Sequence, residues 1–149
     1  MTNHLTLPEE AEHGSDKRMF APYAERNKAP IFEVLNEVFP QNARVLEIAS
    51  GTGQHGIHFA TQRADWTWQP SEIDPERIAS INAYQEATNL ENLNSALSLD
   101  ISRTDWSNNV TGYDGIFLSN LLHLVSDATV HSFIRGAAKV LNHSGTLAI

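Results

Sequence analysis

Glu47, Glu72, Asp100 and Asn120, together with the glycines Gly51, Gly53 and Gly56, are the residues of this chain whose types and spacing could do chemistry. The glycines spell G-x-G-x-x-G straight after an aliphatic run, Val45-Leu46-Glu47-Ile48. Without Cβ atoms, such a turn bends sharply and lets a ligand touch the backbone. The helix that follows would offer free N–H groups and a partial positive charge. A glycine triplet alone also serves strand–helix turns that bind nothing. Glu47 changes the reading, because a carboxylate near the end of a mostly apolar strand needs a partner. An ammonium or sulfonium group would provide one, and a pyrophosphate would not. The chemistry implied is recognition of a nucleoside with a cationic end.

Glu72 stands twenty-one positions beyond Gly51, the usual distance for a carboxylate that accepts ribose hydroxyls. Its plainer reading is a solvated strand end, since Asp74, followed by Pro75, is the better helix cap. Asp100 could accept from an adenine amino group, with Ile73 or Ile101 against the ring face; otherwise it is an ordinary loop aspartate. His123 follows Asn120-Leu121-Leu122. It is the candidate base, against the alternative of a hydrogen-bonded histidine that shapes the pocket. His55 and His58 have a spacing that two metal ligands could use, but no third ligand or H-E-x-x-H pattern joins them, so no metal is expected. Trp66, Trp68 and Trp106 read as packing residues, with Trp106 the one that could cover a base.

These residues need elements to bring them together. Ile31, Val34, Leu35 and Val38 form an apolar stripe at helical spacing, starting near Pro30 and stopped by Pro40. From there the chain alternates. Strands are expected at 44–49, 66–72, 95–99 and 113–119, with a fifth starting at 146. Helices are expected at 54–62, after Asp74-Pro75-Glu76 with Ile78, Ile81 and Tyr84 inward, and through Val130, Phe133, Ile134, Ala137 and Leu141. Asn142-His143-Ser144-Gly145 reads as a turn. Strand–helix alternation with short connections predicts an α/β fold, a Rossmann-like open parallel sheet with helices on both faces. In such sheets ligands bind outside the carboxyl ends of the strands. The polar residues above all fall there.

The chain has 149 residues, room for one domain with a sizeable core. Its formal net charge of −8 argues against a nucleic-acid partner. It has no cysteine, which excludes a disulfide framework, a thiolate metal site and a cysteine nucleophile. No stretch has signal-peptide or membrane-span character, so a cytoplasmic protein with no membrane partner is expected. Residues 1–22 read as a polar N-terminal arm, mobile or weakly docked, and 23–149 as the ligand-binding domain.

The segment 45–53 resembles the first motif of the class I S-adenosylmethionine-dependent methyltransferases, with Ala49 where many members have a glycine. Tyr23-Ala24-Glu25-Arg26-Asn27-Lys28, Gly51-Thr52-Gly53-Gln54-His55, Trp68-Gln69-Pro70-Ser71-Glu72-Ile73-Asp74 and Asn120-Leu121-Leu122-His123 are together similar to the methyltransferase-like twenty-six family. The resemblance implies a Rossmann-like domain that binds S-adenosyl-L-methionine and methylates a small-molecule acceptor. It places Glu47, Ala49, Gly51 and Gly53 at the methionyl end, Glu72 at the ribose, and Asp100 and Ile101 at the adenine, with Ile73 among the cofactor-binding residues. Asn120 belongs to the same cofactor rim. Arg26, Asn27 and Lys28 would form a lid, with His123 on the acceptor side. Family members continue beyond the fifth strand, so the resemblance also implies a C-terminally incomplete domain, with self-association through the exposed edge of that strand. Two other readings use the same residues. The glycine triplet and Glu72 fit an NAD-dependent oxidoreductase, and a catalytically inactive nucleoside-binding module would bind without turnover.

Overall fold

The computed structural model describes residues 12–13 and 16–149. A short ribbon opens it, β1 (Glu12–His13) antiparallel to β2 (Met19–Phe20). There follow α1 (Pro22–Val38), β3 (Arg44–Ile48), α2 (Gln54–Gln62), β4 (Thr67–Glu72), α3 (Pro75–Thr88), β5 (Leu97–Ser98), β6 (Tyr113–Leu118), a 3-10 turn (Leu122–Leu124), α4 (Asp127–Val140) and β7 (Leu141–Ala148). The five longer-range strands form one parallel sheet in the order β5-β4-β3-β6-β7. The chain works outward from β3 through β4 to β5, then returns to the other side of β3. The switch point therefore lies between β3 and β6, both buried along most of their length.

Alternation along β3 and β6 separates two cores. Leu46, Ile48, Ile116 and Leu118 face Phe133, Ala137 and Val140 of α4. Val45 and Phe117 face Leu35 of α1, Phe59 and Ala60 of α2, and Trp66 and Trp68. Helices thus cover both faces, which is why the central strands read as nearly continuous apolar runs. α3 packs on α2 and β4. Asp74 caps it through Oδ1, which accepts from the Glu76 and Arg77 N–H groups at 2.8 and 3.4 Å.

Several elements differ from the sequence expectation. Helix α1 begins at Pro22 rather than near Pro30. Both prolines suit a first turn; Pro22 takes that place, and Pro30 lies on the exposed side of the helix interior. Its buried side runs through Ala24 and Leu35, whereas Val34 and Val38 are 57% and 41% exposed. The packed region also reaches back to Met19, which is buried. The Met19 N–H donates to Ser80 Oγ at 2.8 Å, its carbonyl accepts from the Tyr84 hydroxyl at 3.0 Å, and the Ala21 N–H donates to Gln54 Oε1 at 2.7 Å. Residues 16–22 of the expected arm are therefore described, and 19–22 are docked; residues 1–11, 14 and 15 lie outside the described residues. The turn expected at 142–145 lies inside β7, as an irregularity between the Leu141–Tyr113 and Thr146–Gly115 pairs, with Ser144 at φ 64°. Ile134 is 44% exposed, off the buried face of α4.

Trp106 does not cover a ligand site. It is buried, stacks on Phe133 at 6.0 Å and donates from Nε1 to the Ser132 carbonyl at 3.1 Å. Among the described residues no helix is long and apolar enough to cross a membrane.

Candidate functional site

A cleft opens at the carboxyl ends of β3 and β6, at the switch point. It is lined by Tyr23 and Ala24 of α1, Glu47 to Thr52, His55, Arg77, and Ser119 to Leu121. Two residues at its rim hold left-handed backbone, Ala49 at φ 52° and Asn120 at φ 57°. These are the points where the chain leaves each strand and turns across the sheet edge.

The glycine bend is fixed from β4. Ser50 and Ser71 exchange backbone and side-chain bonds: Ser50 N–H to the Ser71 carbonyl at 2.9 Å, and Ser71 N–H to Ser50 Oγ at 3.0 Å. Ser71 Oγ then donates to the Glu47 carbonyl at 2.6 Å. Gly51 takes φ 62°, and a Cβ there would stand 3.8 Å from the Tyr23 hydroxyl. A side chain at this position would fill the space between the bend and α1. Gly53, at φ 100°, has α3 behind it instead, 3.0 Å from the Ile81 Cα to a built Cβ.

Glu47 is the most unusual group in the site. Its side chain lies two positions on from Val45 and on the same face of β3, so it faces α2 rather than α4. It is 2% exposed, yet it contributes to the cleft wall. Oε2 accepts from Trp68 Nε1 at 2.9 Å. The ion pairs among the described residues join Arg18 to Asp16, Lys28 to Glu25, Arg63 to Asp65 and Arg103 to Asp105, and none reaches Glu47. Burial pushes its carboxyl up to about 7, with the Trp68 and Ser50 hydrogen bonds pulling the other way and the Glu72 charge adding to the rise. The third glycine of the motif belongs to this group: a Cβ on Gly56 would meet Trp68 Nε1 at 3.0 Å and Glu47 Oε2 at 3.3 Å. Gly56 lets α2 settle onto the Glu47–Trp68 pair, a role its spacing did not reveal.

Glu72 is buried at the end of β4. Oε2 accepts the Gly51 N–H at 2.9 Å and Oε1 the Ile73 N–H at 2.8 Å. The carboxylate ties the glycine bend to β4 and keeps lone pairs for further donors. Ile73 beside it is 57% exposed. Asp100 Oδ1 accepts from Ser102 N–H and Oγ at 2.9 and 2.6 Å, closing its own loop. Ile101 is buried in the α4-side core, so of the two ring-face candidates only Ile73 stands open. His123 is exposed on the 3-10 turn and does not line the cleft.

The first turns of α1 form the outer wall. Asn27 Oδ1 lies 2.6 Å from His55 Nε2, and Lys28 pairs with Glu25. Gln54 Nε2 donates to Glu25 at 3.3 Å. His55 is buried against Phe59 at 5.5 Å. Burial lowers it to about 4, helped by the nearby His58, while a hydrogen bond with the Ala24 backbone opposes the fall. It is therefore neutral at neutral pH and clamps α1 to α2. Of Arg26, Asn27 and Lys28, Asn27 is thus the one that grips the neighbouring helix beside the cleft. His55, Arg77, Tyr23 and Ser119 were not singled out as site residues from the sequence, because their place in the wall depends on how α1 and α3 lean over the sheet. Among the described residues no cluster of three or more His, Asp or Glu side chains could hold a metal.

Known structures share this architecture. A coclaurine N-methyltransferase bound to N-methylheliamine and SAH is similar over 80% of this chain and 34% of its own, with 16% identity and a TM-score of 0.69. The glycopeptide N-methyltransferase MtfA matches over 86% of this chain and 60% of its own, at 14% identity and a TM-score of 0.70. A precorrin-6y C5,15-methyltransferase from Geobacter metallireducens matches over 82% and 60%, at 11% identity and a TM-score of 0.64. The chain thus spans between a third and three-fifths of the length of these structures, and shares with them the Rossmann-like methyltransferase fold. Residues 18–149 match the family model described as "Protein of unknown function (DUF938)", and the chain belongs to that family.

Proposed function

We propose that this chain binds S-adenosyl-L-methionine and serves transfer of its methyl group to a small-molecule acceptor. The observation that carries the reading is Glu47: a buried carboxyl on the wall of the switch-point cleft, without a cationic partner among the described residues, beside a glycine bend with room for a ligand. The fold neighbours, methyltransferases among them, support it. The resemblance of 23–28, 51–55, 68–74 and 120–123 to the methyltransferase-like twenty-six family belongs to the same proposal.

The residues fit the cofactor. Glu47 would face its cationic methionyl end, with Ala49, Gly51 and Gly53 forming the bend around it. Glu72 would accept ribose hydroxyls, with Ile73 on the adenine and Asp100 and Asn120 completing the rim, while Ile101 stays in the α4-side core. When bound, the cofactor supplies an electrophilic methyl group on a sulfonium centre. Displacement in line requires chiefly positioning and a favourable field from the protein. The wall of α1, clamped by His55 and Asn27, would exclude water and hold the acceptor. His123, exposed beside the cleft mouth, would act only if the acceptor extends to it. Arg26 and Lys28 would complete the lid.

The test is calorimetry with S-adenosylhomocysteine against NAD. Binding of the thioether and none of NAD is expected; the reverse would give the chain to the oxidoreductases. Glu72→Ala should weaken thioether binding by about 1.5–3 kcal/mol, the worth of a charge-assisted hydrogen bond. Unchanged affinity would remove Glu72 from the site. Binding without turnover across an acceptor screen would favour the inactive nucleoside-binding module.

A further inference from the structure

We propose that loading of the methyl donor is proton-linked, the buried Glu47 carboxyl releasing its proton to solvent as the donor's positive charge enters the cleft. The inference rests on the functional reading above. It follows from geometry before it follows from titration. Glu47 sits 2% exposed beneath the cleft, on the α2 side of the central strand, with neutral hydrogen-bond partners, Trp68 and Ser50, and no ion pair among the described residues. A carboxylate so placed is screened from bulk solvent and has no counter-ion among the described residues, and its neutral form is favoured.

The groups that face it do not supply the missing charge. From β4 comes Glu72, a second carboxylate whose charge raises the Glu47 pKa further. From α2 comes His55, neutral above about 4. From α1 the cleft receives Tyr23 and Ala24, and from β6 Glu47 is flanked by Phe117. Arg77 of α3 lines the same cleft without an ion pair to Glu47 among the described residues. The Glu47 carboxyl, lying at about 7, is thus mostly protonated at pH 6.5 when the cleft holds no cation. Entry of an ammonium or sulfonium breaks the carboxyl O–H bond. The proton passes to buffer, and the carboxylate left behind balances the incoming charge. By linkage, donor affinity then rises with pH up to about 7, roughly tenfold per unit well below it, and levels off above until the donor's own α-ammonium begins to lose its proton near about 8.

The experiment is titration calorimetry on the full chain at pH 6.5, in phosphate and in imidazole, whose ionisation enthalpies differ. At this pH an α-ammonium is about 95% protonated, so it contributes almost nothing to the proton count. S-adenosylmethionine should bind with release of more than about half a proton, read from the difference in apparent enthalpy between the buffers. In Glu47→Gln, which keeps an acceptor for Trp68, the buffer difference should vanish. S-adenosylhomocysteine distinguishes the two cationic sources: equal release assigns it to the ammonium, and release with the methylated donor alone assigns it to the sulfonium. Either result supports the linkage. Binding with a buffer-independent enthalpy in the unaltered protein overturns the linkage and leaves the donor site standing. No binding of either compound removes the donor site and the linkage with it. Should Glu47→Gln fail to fold, donor affinity of the unaltered protein from pH 5.5 to 8 decides the matter, and a flat profile overturns the proposal.

Discussion

Ala49 shows how a single residue records a compromise. Its φ of 52° is left-handed, a region that clashes with a Cβ and costs about 1–2 kcal/mol for an L-residue. The position closes β3 and turns the chain into the glycine bend, so the conformation is set by the Ser50–Ser71 bonds on one side and the strand on the other. Replacing alanine by glycine ordinarily destabilises through the unfolded chain, by about 0.4–1 kcal/mol. Here relief of the backbone strain is larger. Ala49→Gly should therefore stabilise the protein, by about 0.5–1 kcal/mol in urea unfolding. A loss of stability would mean that the Ala49 methyl packs usefully and that the strain is small.

At the scale of elements, the wall of the cleft depends on how α1 is held. Gln54 is its hinge pin: Oε1 accepts from Ala21 N–H and Thr52 Oγ1, and Nε2 donates to Glu25. Gln54→Ala leaves the Ala21 amide without its partner in a buried place, which costs about 1–3 kcal/mol. Amide exchange should quicken at residues 19–24 while β3, β4 and β6 stay protected. Uniform loss of protection would show that α1 is part of the folding core instead. This docking also explains where the sequence was silent. The strands and α2 were legible because apolar runs and the glycine bend mark them. The attachment of 19–22 rests on Gln54, Ser80 and Tyr84, polar side chains whose partners are far away in the chain. Pattern cannot show such bonds, and Pro30 offered a more familiar helix start than Pro22. Among site residues, Glu47 stood out because a carboxylate near the end of an apolar strand is costly, and Glu72 because of its distance from the glycine bend. His55 and Arg77 entered the wall only once α1 and α3 were in place. Trp68 was legible as a packing residue and Gly56 only as the third glycine of the motif, and their shared contact with Glu47 was not legible at all.

Across the whole molecule, Glu47 and His55 set up opposing responses to pH. Folding raises Glu47 from an ordinary 4.5 to about 7, so the folded chain holds that proton more tightly than the unfolded one. Its contribution is full below about 4.5 and is lost as pH climbs to 7, about 3 kcal/mol in all. Folding lowers His55 from 6.5 to about 4, so the folded chain gives up that proton more readily. Stability therefore rises from pH 4 to 6.5, again by about 3 kcal/mol. Between pH 4.5 and 6.5 these two slopes largely cancel, leaving the smaller upward slope of His58, which burial also lowers, so the native chain should show only a shallow rise of stability in urea. Single variants expose each slope. Glu47→Gln should gain stability as pH rises through this window, while His55→Gln should lose it. Glu25 and Asp65, lowered by Lys28 and Arg63, act below the window and in all three proteins alike. Slopes of the same sign in the two variants would show that one of these groups is not held as its surroundings dictate. Because Glu47 is also the group that would meet a cationic ligand, donor added to the native chain should steepen the shallow profile upward with pH, as Glu47→Gln does without it.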